Sequence, residues 1–494
     1  MANRNTDKPN ILFILSDDQG AWAMGCAGNS ELSTPNLDRL AETGMKFENF
    51  FCASPVCSPA RASILTGEIP SQHGVQDFLR KGNSKFINTD GTEITYMEGR
   101  TSYIEQLSEN GYSCGLSGKW HLGNARLPQF GFDYWNVHAS GGGPYYEPPM
   151  IENGELYRPA EYVTDIITDN ALAFLENQID SDSPFSLNVH YTAPHAPWTR
   201  ENHPQEKFDA FYNDSRLEST PDLPIHPNQL DKESGAATIG SDEEGRKIAL
   251  SGYFTAIEEM DRNIGRIIDW LEENDLRENT LIIFTADNGM NMGHHGIWGK
   301  GNGTYPPNMY DTAVKIPTLV SRPGHVPQNV ACTELLSQYD FSPTLLGYVG
   351  LEQKNTQNLP GRSFVNLLEG RDFGSDKPVY VLDEYGPTRM IRTHKWKYVH
   401  RYQIGDNELY DLENDPDEEI NLFGSDAHKE IGGKLLEQLE SWYDKYTDPI
   451  VDGRKNSVMG RGQIGMIKDS DKPFADDVVS VSYTHLTLPT NREV

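Results

Sequence analysis

The sequence predicts an α/β protein with a large mixed, mostly parallel central sheet flanked by helices and a smaller C-terminal α+β unit. Three observations carry this. Near-continuous apolar runs over Asn10–Leu15, Phe185–Tyr191 and Thr280–Thr285 read as strands buried on both faces, as in a parallel sheet covered by helices. Between them lie segments of helical period. Tyr162–Gln178 carries Val163, Ile166, Ile167, Ala171, Leu172 and Leu175, and Lys247–Asn274 carries Tyr253, Ile257, Met260, Ile264, Ile267, Ile268 and Leu271. After Asp372 the character changes. Short runs at Val379–Glu384, Met390–Thr393, Lys397–Tyr402 and Glu408–Leu412 predict an antiparallel meander, closed by a helix over Lys429–Tyr446.

On this reading residues 1–372 form the main domain and 373–478 the C-terminal subdomain. Residues 479–494 look like translated sequencing-adapter read-through and are set aside as a non-native or disordered tail.

The 494 residues are 37% hydrophobic and 23% charged, which is globular composition. A formal net charge of −31 argues against nonspecific nucleic-acid binding. It also means that any anionic substrate needs a locally basic or metal-bearing site. The cysteines, Cys26, Cys52, Cys57, Cys114 and Cys332, are odd in number, lack zinc spacing and suggest no disulfide framework. No signal peptide or transmembrane run is visible, so the expectation is a cytoplasmic protein as written, periplasmic or secreted if a leader is missing, with no membrane partner.

In chain order, the first strand ends in Ser16-Asp17-Asp18-Gln19-Gly20. Carboxylates at the carboxyl end of a central strand sit where such sheets bind ligands. Adjacent Asp side chains repel unless a cation lies between them; the bland alternative is a solvated turn. Thr34–Gly44 reads as a helix and Met45–Phe51 as a strand-like run.

Cys57-Ser58-Pro59-Ala60-Arg61, followed by Leu65-Thr66-Gly67, then places a thiol at a helix start, where free N–H groups favour an anion, with Arg61 one turn on. That makes a nucleophile with an oxyanion site, against the plainer reading of a buried structural cysteine.

Tyr103–Asn110 is helical, and Cys114–Ser117 leads into Gly118-Lys119-Trp120-His121-Leu122-Gly123, where residues two apart in an extended loop let Lys119 and His121 face one site. Phe130–Ser140 with Gly141–Tyr146 reads as a loop walling a pocket. His195 is stiffened between Pro194 and Pro197, an acid–base candidate or simply a histidine bonded to a loop carbonyl. Thr199–Glu244 is an irregular excursion. Ala286-Asp287-Asn288-Gly289 repeats the logic of Asp17-Asp18, and His294, His295 and Lys300 follow. Lys315–Ser321 reads as a strand, Leu335–Tyr348 as a helix interrupted near Pro343, and Arg362–Leu368 as a short helix.

Together, Asp17, Asp18, Asp287 and Asn288 offer oxygen donors, which select a hard cation such as Ca²⁺ or Mg²⁺. Arg61, Lys119, His121, His195 and Lys300 add cationic or donor groups around Cys57. That combination suits hydrolysis of a tetrahedral oxyanion ester.

From about Pro9 to Leu422 the chain resembles the type I, formylglycine-dependent sulfatase family of the alkaline phosphatase superfamily. The resemblance rests on Ser16-Asp17-Asp18, Cys57–Gly67, Gly118–Gly123, Pro194–Pro197, Asp287–Gly289, Lys300, and Leu409-Tyr410-Asp411-Leu412 with Asp415-Pro416. It implies an alkaline-phosphatase-like sandwich and conversion of Cys57 to formylglycine by a maturation enzyme. Carried over by position, Asp17, Asp18, Asp287, Asn288 and the modified Cys57 hold Ca²⁺. One hydroxyl of the hydrated aldehyde attacks sulfur, with Arg61 and Lys119 stabilising it. Lys119, His195 and Lys300 neutralise the sulfuryl oxygens, and His195 protonates the leaving alcohol. His121 assists sulfate release, and His295 or His294 lines the leaving-group side.

The substrate expectation is a sulfated carbohydrate. Two alternatives stand beside it: a phosphonate monoester or phosphodiester hydrolase of the same superfamily, and a non-catalytic binder of sulfated glycans with Cys57 unmodified.

Overall fold

The computed structural model describes residues 8–80, 93–179, 181–230, 242–354, 358–374, 377–384, 386–454, 462–468 and 473–475. The tail at 479–494 lies outside them. Sixteen strands occur among the described residues: β1 Asn10–Ser16, β2 Met45–Phe47, β3 Phe50–Phe51, β4 Ser113–Lys119, β5 Tyr134–His138, β6 Met150–Glu152, β7 Glu155–Tyr157, β8 Phe185–His190, β9 Thr280–Ala286, β10 Thr318–Ser321, β11 Val330–Cys332, β12 Leu336–Ser337, β13 Val379–Asp383, β14 Thr388–Arg392, β15 Trp396–Arg401 and β16 Glu408–Asp411.

The main sheet has the order β11-β2-β10-β9-β1-β8-β4-β5-β6-β7. Its five consecutive strands β9, β1, β8, β4 and β5 are parallel, and antiparallel strands extend it on either side. The reason β1 reads as a continuous apolar run is visible in its packing. Ile11, Phe13 and Leu15 join a core containing Leu65, Ile104 and Phe341 on one face. Leu12 and Ile14 join Ile167, Ile264 and Leu271 on the other. Alternation along a strand thus fills two cores, and each fully buried Ile or Leu contributes about 1.5–3 kcal/mol.

The helices Val163–Glu176 and Glu243–Glu273 cover the second face, as their apolar stripes require. The long one is capped by Asp242, whose side chain accepts from Gly245 N–H. The small sheet, β13-β14-β15-β16, is antiparallel throughout, and Lys429–Tyr446 packs Leu435, Leu439 and Tyr443 against its Leu382, Ile391 and Tyr398.

Four expectations need correction. Phe130–Ser140 is not a loop: Tyr134–His138 forms β5, pairing with β4 from Gly115↔Tyr134 to Lys119↔His138. Met45–Phe51 is not one run: β2 and β3 join different sheets, and between them Asn49 turns its amide to Thr333 O. Pro343 does not interrupt a helix. It is the third residue of Phe341–Tyr348, a first-turn position where its missing N–H has no intrahelical partner to lose. The excursion after Thr199 includes a helix at Gln205–Asp214 with Phe208 and Phe211 buried.

Candidate active site

The parallel register brings the predicted groups to one edge of the sheet. Because Ser16 lies opposite Ala286 in the β1–β9 ladder, Asp17 emerges beside Asp287. Asp287 N–H donates to Ser16 O, and Asp17 N–H to Ala193 O in the loop after β8. Lys119 is the last residue of β4 rather than part of an extended loop, and His121 lies beyond it with φ +56°. Cys57 opens the helix Cys57–Thr66, after the extended Val56, and the whole helix is buried.

Side chains converge there. Arg61 donates from Nε to Asp287 Oδ2 (2.9 Å) and from Nη1 to Lys119 O (3.0 Å). Lys119 Nζ meets Asp17 Oδ2 at 2.5 Å. Lys300 Nζ lies 2.5 Å from Asp18 Oδ1 and 2.6 Å from Cys57 Sγ. Asn288 Nδ2 donates to Asp18 Oδ1 (2.8 Å). His195 Nδ1 faces the Ala196 carbonyl at 2.7 Å, which only a protonated Nδ1 can satisfy. Its Nε2 is thereby turned to the site, 3.7 Å from Asp18 Oδ2.

The donor set fits a hard cation. Oxygens of Asp17, Asp18 and Asp287 all lie within 4.8 Å of one another. Asp17 Oδ1 and Asn288 Oδ1 are buried with no hydrogen-bond partner among the described residues. Unpaired buried oxygens beside crowded carboxylates are costly unless a cation takes them up. Burial alone pushes all three carboxyls up. Lys119 and His195 outweigh it at Asp17, and Lys300 and His195 outweigh it at Asp18, so both fall below the ordinary range. At Asp287 burial and the neighbouring Asp17 prevail over Arg61, giving about 6. Burial pushes the Cys57 thiol up to about 12 against the pull of Lys119 and Lys300, so at neutral pH it is not a thiolate. Burial, then Lys119 and Arg61, hold His121 neutral.

Several supporting groups carry no sequence signal of their own. Tyr253, in the middle of the long helix, accepts from Gly20 N–H (3.1 Å) and donates to Asp18 O (3.0 Å). Gln338 donates to Ala286 O and Asp287 O and accepts from Ala53 N–H. The run Gly141-Gly142 has a plain use. A Cβ on Gly141 would come within 2.1 Å of the His121 ring, and one on Gly142 within 3.1 Å of His195. Backbone therefore lies flat against both histidines, and Tyr145 Oη donates to His195 O (2.8 Å). A glycine signal three residues long, next to an aromatic pair, is the trace by which this wall was readable.

The predicted His295 lies apart from this group in its described contacts. Its ring stacks on Tyr310 (3.7 Å between centroids, 10° between planes), and burial followed by Lys397 brings it to about 4. His294 packs its ring against Trp22. The excursion after Thr199 covers the loop that carries Lys300: His226 N–H donates to Gly296 O and Leu230 N–H to Gly303 O.

The family model described as Sulfatase matches residues 9–351. The chain belongs to the sulfatase family. A second model, N-sulphoglucosamine sulphohydrolase, C-terminal, matches residues 293–445 of this sulfatase. Among curated relatives, an N-acetylglucosamine-6-O-sulfatase of Bacteroides thetaiotaomicron is 28% identical, over 92% of this chain and 90% of the relative. The pig N-acetylgalactosamine-6-sulfatase is also 28% identical, over 80% and 73%. A solved structure of a protein in complex with its substrate D-glucosamine-2-N,6-O-disulfate superposes with a TM-score of 0.75 at 25% identity, covering 91% of this chain and all of that one. The phosphonate monoester hydrolase of Agrobacterium radiobacter (TM-score 0.66, 20% identity, 89% and 96% covered) shares the fold. The protein is thus a sulfuric ester hydrolase with the alkaline-phosphatase-like architecture expected from its sequence.

Proposed function

We propose that this sulfatase removes sulfate from a sulfated carbohydrate, using formylglycine at position 57 and a Ca²⁺ ion. Sugars sulfated at O6 of a hexosamine are the first candidates, because relatives named for that chemistry align along most of the chain. The single observation that carries the mechanism is the convergence of Asp17, Asp18, Asp287 and Asn288 on the helix start that holds Cys57.

Asp17, Asp18, Asp287 and Asn288 would hold the ion, which supplies positive charge to an anionic ester in an acidic protein. A neutral, buried thiol is a soft and poorly matched partner for that set, whereas the hydrate of an aldehyde supplies hard oxygens and a nucleophile. Arg61, fixed between Asp287 and the Lys119 carbonyl, orients the nucleophile from one turn along the helix. Lys119 and Lys300 hold positive charge against the sulfate oxygens. With Nδ1 committed to Ala196 O, His195 presents Nε2 as the atom that passes a proton to the departing alcohol. His121, neutral and with Nδ1 unpartnered among the described residues, is placed to accept a proton when sulfate leaves.

The test has two arms. Protein from a host with the maturation enzyme is assayed on sulfated monosaccharides, an aryl sulfate and an aryl phosphonate, and the peptide spanning Cys57 is weighed. The expected outcome is desulfation of a sugar and a peptide about 18 Da lighter, from exchange of SH and H for a carbonyl oxygen. A large preference for the phosphonate, or an unmodified thiol in protein without turnover, overturns the proposal.

A further inference from the structure

Beside the strand-end site lies a separate cavity of about 480 Å³, lined by Trp22, Asn29, Glu31, Arg216, Glu218 and Ser219 with Ala27–Gly28 and Ser30. Its volume falls in the range of small-ligand sites. Two loops that are distant in sequence make its walls, and Glu31 clasps them. Its carboxylate accepts from Ser215 Oγ (3.0 Å), Glu218 N–H (3.1 Å) and Ser219 N–H (2.8 Å). These bonds tie the two walls to one another. Asn29, only 6% exposed, leaves its Nδ2 donor without a partner among the described residues. A buried amide donor lining a cavity costs stability unless something accepts from it.

Trp22 ties the cavity to the catalytic edge. Its indole lies over Gly20, where a Cβ would come within 2.2 Å of Nε1, so only glycine admits it. Nε1 donates to Met290 O, two residues past Asn288 (2.9 Å). The ring stacks on Tyr253 (5.9 Å, 30°), whose hydroxyl holds the Asp18 carbonyl. It also approaches His294 (4.9 Å) on the loop leading to Lys300. The cavity thus begins one side chain beyond both loops that supply the predicted metal ligands.

We propose that this cavity binds a second sugar unit of the substrate, next to the sulfated one, so that the enzyme prefers sulfated oligosaccharides to monosaccharides. The Asn29 amide donor, the exposed Arg216 guanidinium (whose carboxylate contact, Glu218, lies at 3.9 Å) and the exposed Glu218 carboxylate are groups that recognise a hydroxylated ring, beside the edge of the Trp22 indole. This rests on the carbohydrate reading above.

The test compares kcat/KM on a sulfated monosaccharide and on tetrasaccharides of the same sugar, neutral and uronate-containing, for the wild type, Asn29→Ala and Arg216→Ala. Arg216 is exposed, so its replacement leaves the fold intact. The wild type is expected to favour the tetrasaccharides. Each variant should lose roughly three- to tenfold on them, the worth of one hydrogen bond, and stay within twofold on the monosaccharide. A wild type active on sugars but indifferent to chain length overturns the subsite alone, as do variants that fall equally on both substrates. A wild type inactive on every sulfated sugar overturns the subsite together with the carbohydrate reading.

Discussion

Two buried ionic clusters in this molecule are built on opposite plans. At the seam between the sheets, Lys397 sits between Asp311 (2.5 Å) and Glu418 and also donates to Met309 O. Arg389 pairs with Glu384 (2.8 Å) and Asp452 (3.2 Å), with its guanidinium over the Tyr443 ring. Opposite charges lie between one another, and each cation joins elements far apart in sequence. At the strand ends the cations stand around the outside, and three carboxylates crowd their oxygens together in the middle. The seam is arranged as a brace. The strand-end cluster is arranged as a receptacle, in which like charges are held close by the sheet register. Burial is equal in the two places, so burial of charge by itself says little about function. The sign of the nearest neighbours is what separates them.

The sharpest way to break the contrast is at the nucleophile. Cys57→Ala should lower kcat by about 10³-fold or more while leaving the melting temperature almost unchanged, since Lys300, its closest contact, keeps its ion pair with Asp18. Retained turnover in the variant would remove position 57 from the chemistry. The seam should answer the other way. Lys397→Met leaves Asp311 and Glu418 facing each other in the interior and should cost about 3–5 kcal/mol in urea unfolding. A loss below about 1 kcal/mol would mean the seam is not a brace.

Third comes the ion. Adding Ca²⁺ to metal-free protein should stabilise it by about 2.7 kcal/mol at a hundred times the dissociation constant. That increment should persist in Lys397→Met wherever the variant folds and vanish in Asp287→Asn. An increment retained in full by Asp287→Asn would place the cation elsewhere.

The contrast also explains what was legible beforehand. Asp17, Asp18, Asp287 and Asn288 announced themselves because each pair ends an apolar run, and parallel strands deliver their carboxyl ends to one edge. Cys57 and Arg61 were legible as a helix start one turn long. Other features depend on partners that no local pattern names. The aromatic residues of β5 looked like a loop because glycines flank them, and only pairing with β4 makes them a strand. Tyr253 was read as part of an apolar core stripe, yet its hydroxyl supports the Asp18 turn. The charged seam was invisible, because Lys397 and Glu418 look like ordinary surface residues until the sheet and the short helix Asp311–Val314 enclose them. Trp22 likewise gave no signal until its ring was seen over Gly20.

The smallest effect tests whether acid unfolding starts at either cluster or outside both. His73 is buried, its Nδ1 accepting from Val75 N–H (3.1 Å) while Nε2 faces Ser63 Oγ (3.1 Å). Burial, reinforced by Arg100, lowers it from 6.5 to about 3. Between those two values the unfolded chain binds a proton that the folded chain refuses. Stability from this group is therefore complete above pH 6.5 and drains away as pH falls, at about 1.4 kcal/mol per unit. His73→Asn keeps an acceptor for Val75 N–H, gives up the reach to Ser63 Oγ, and cannot titrate. It should lower stability by a constant amount above pH 6.5, and that deficit should shrink as pH falls, because one proton's worth of slope is removed from urea unfolding between pH 6 and 4. If the slope is unchanged in the variant, the proton uptake that drives acid unfolding belongs to groups other than His73.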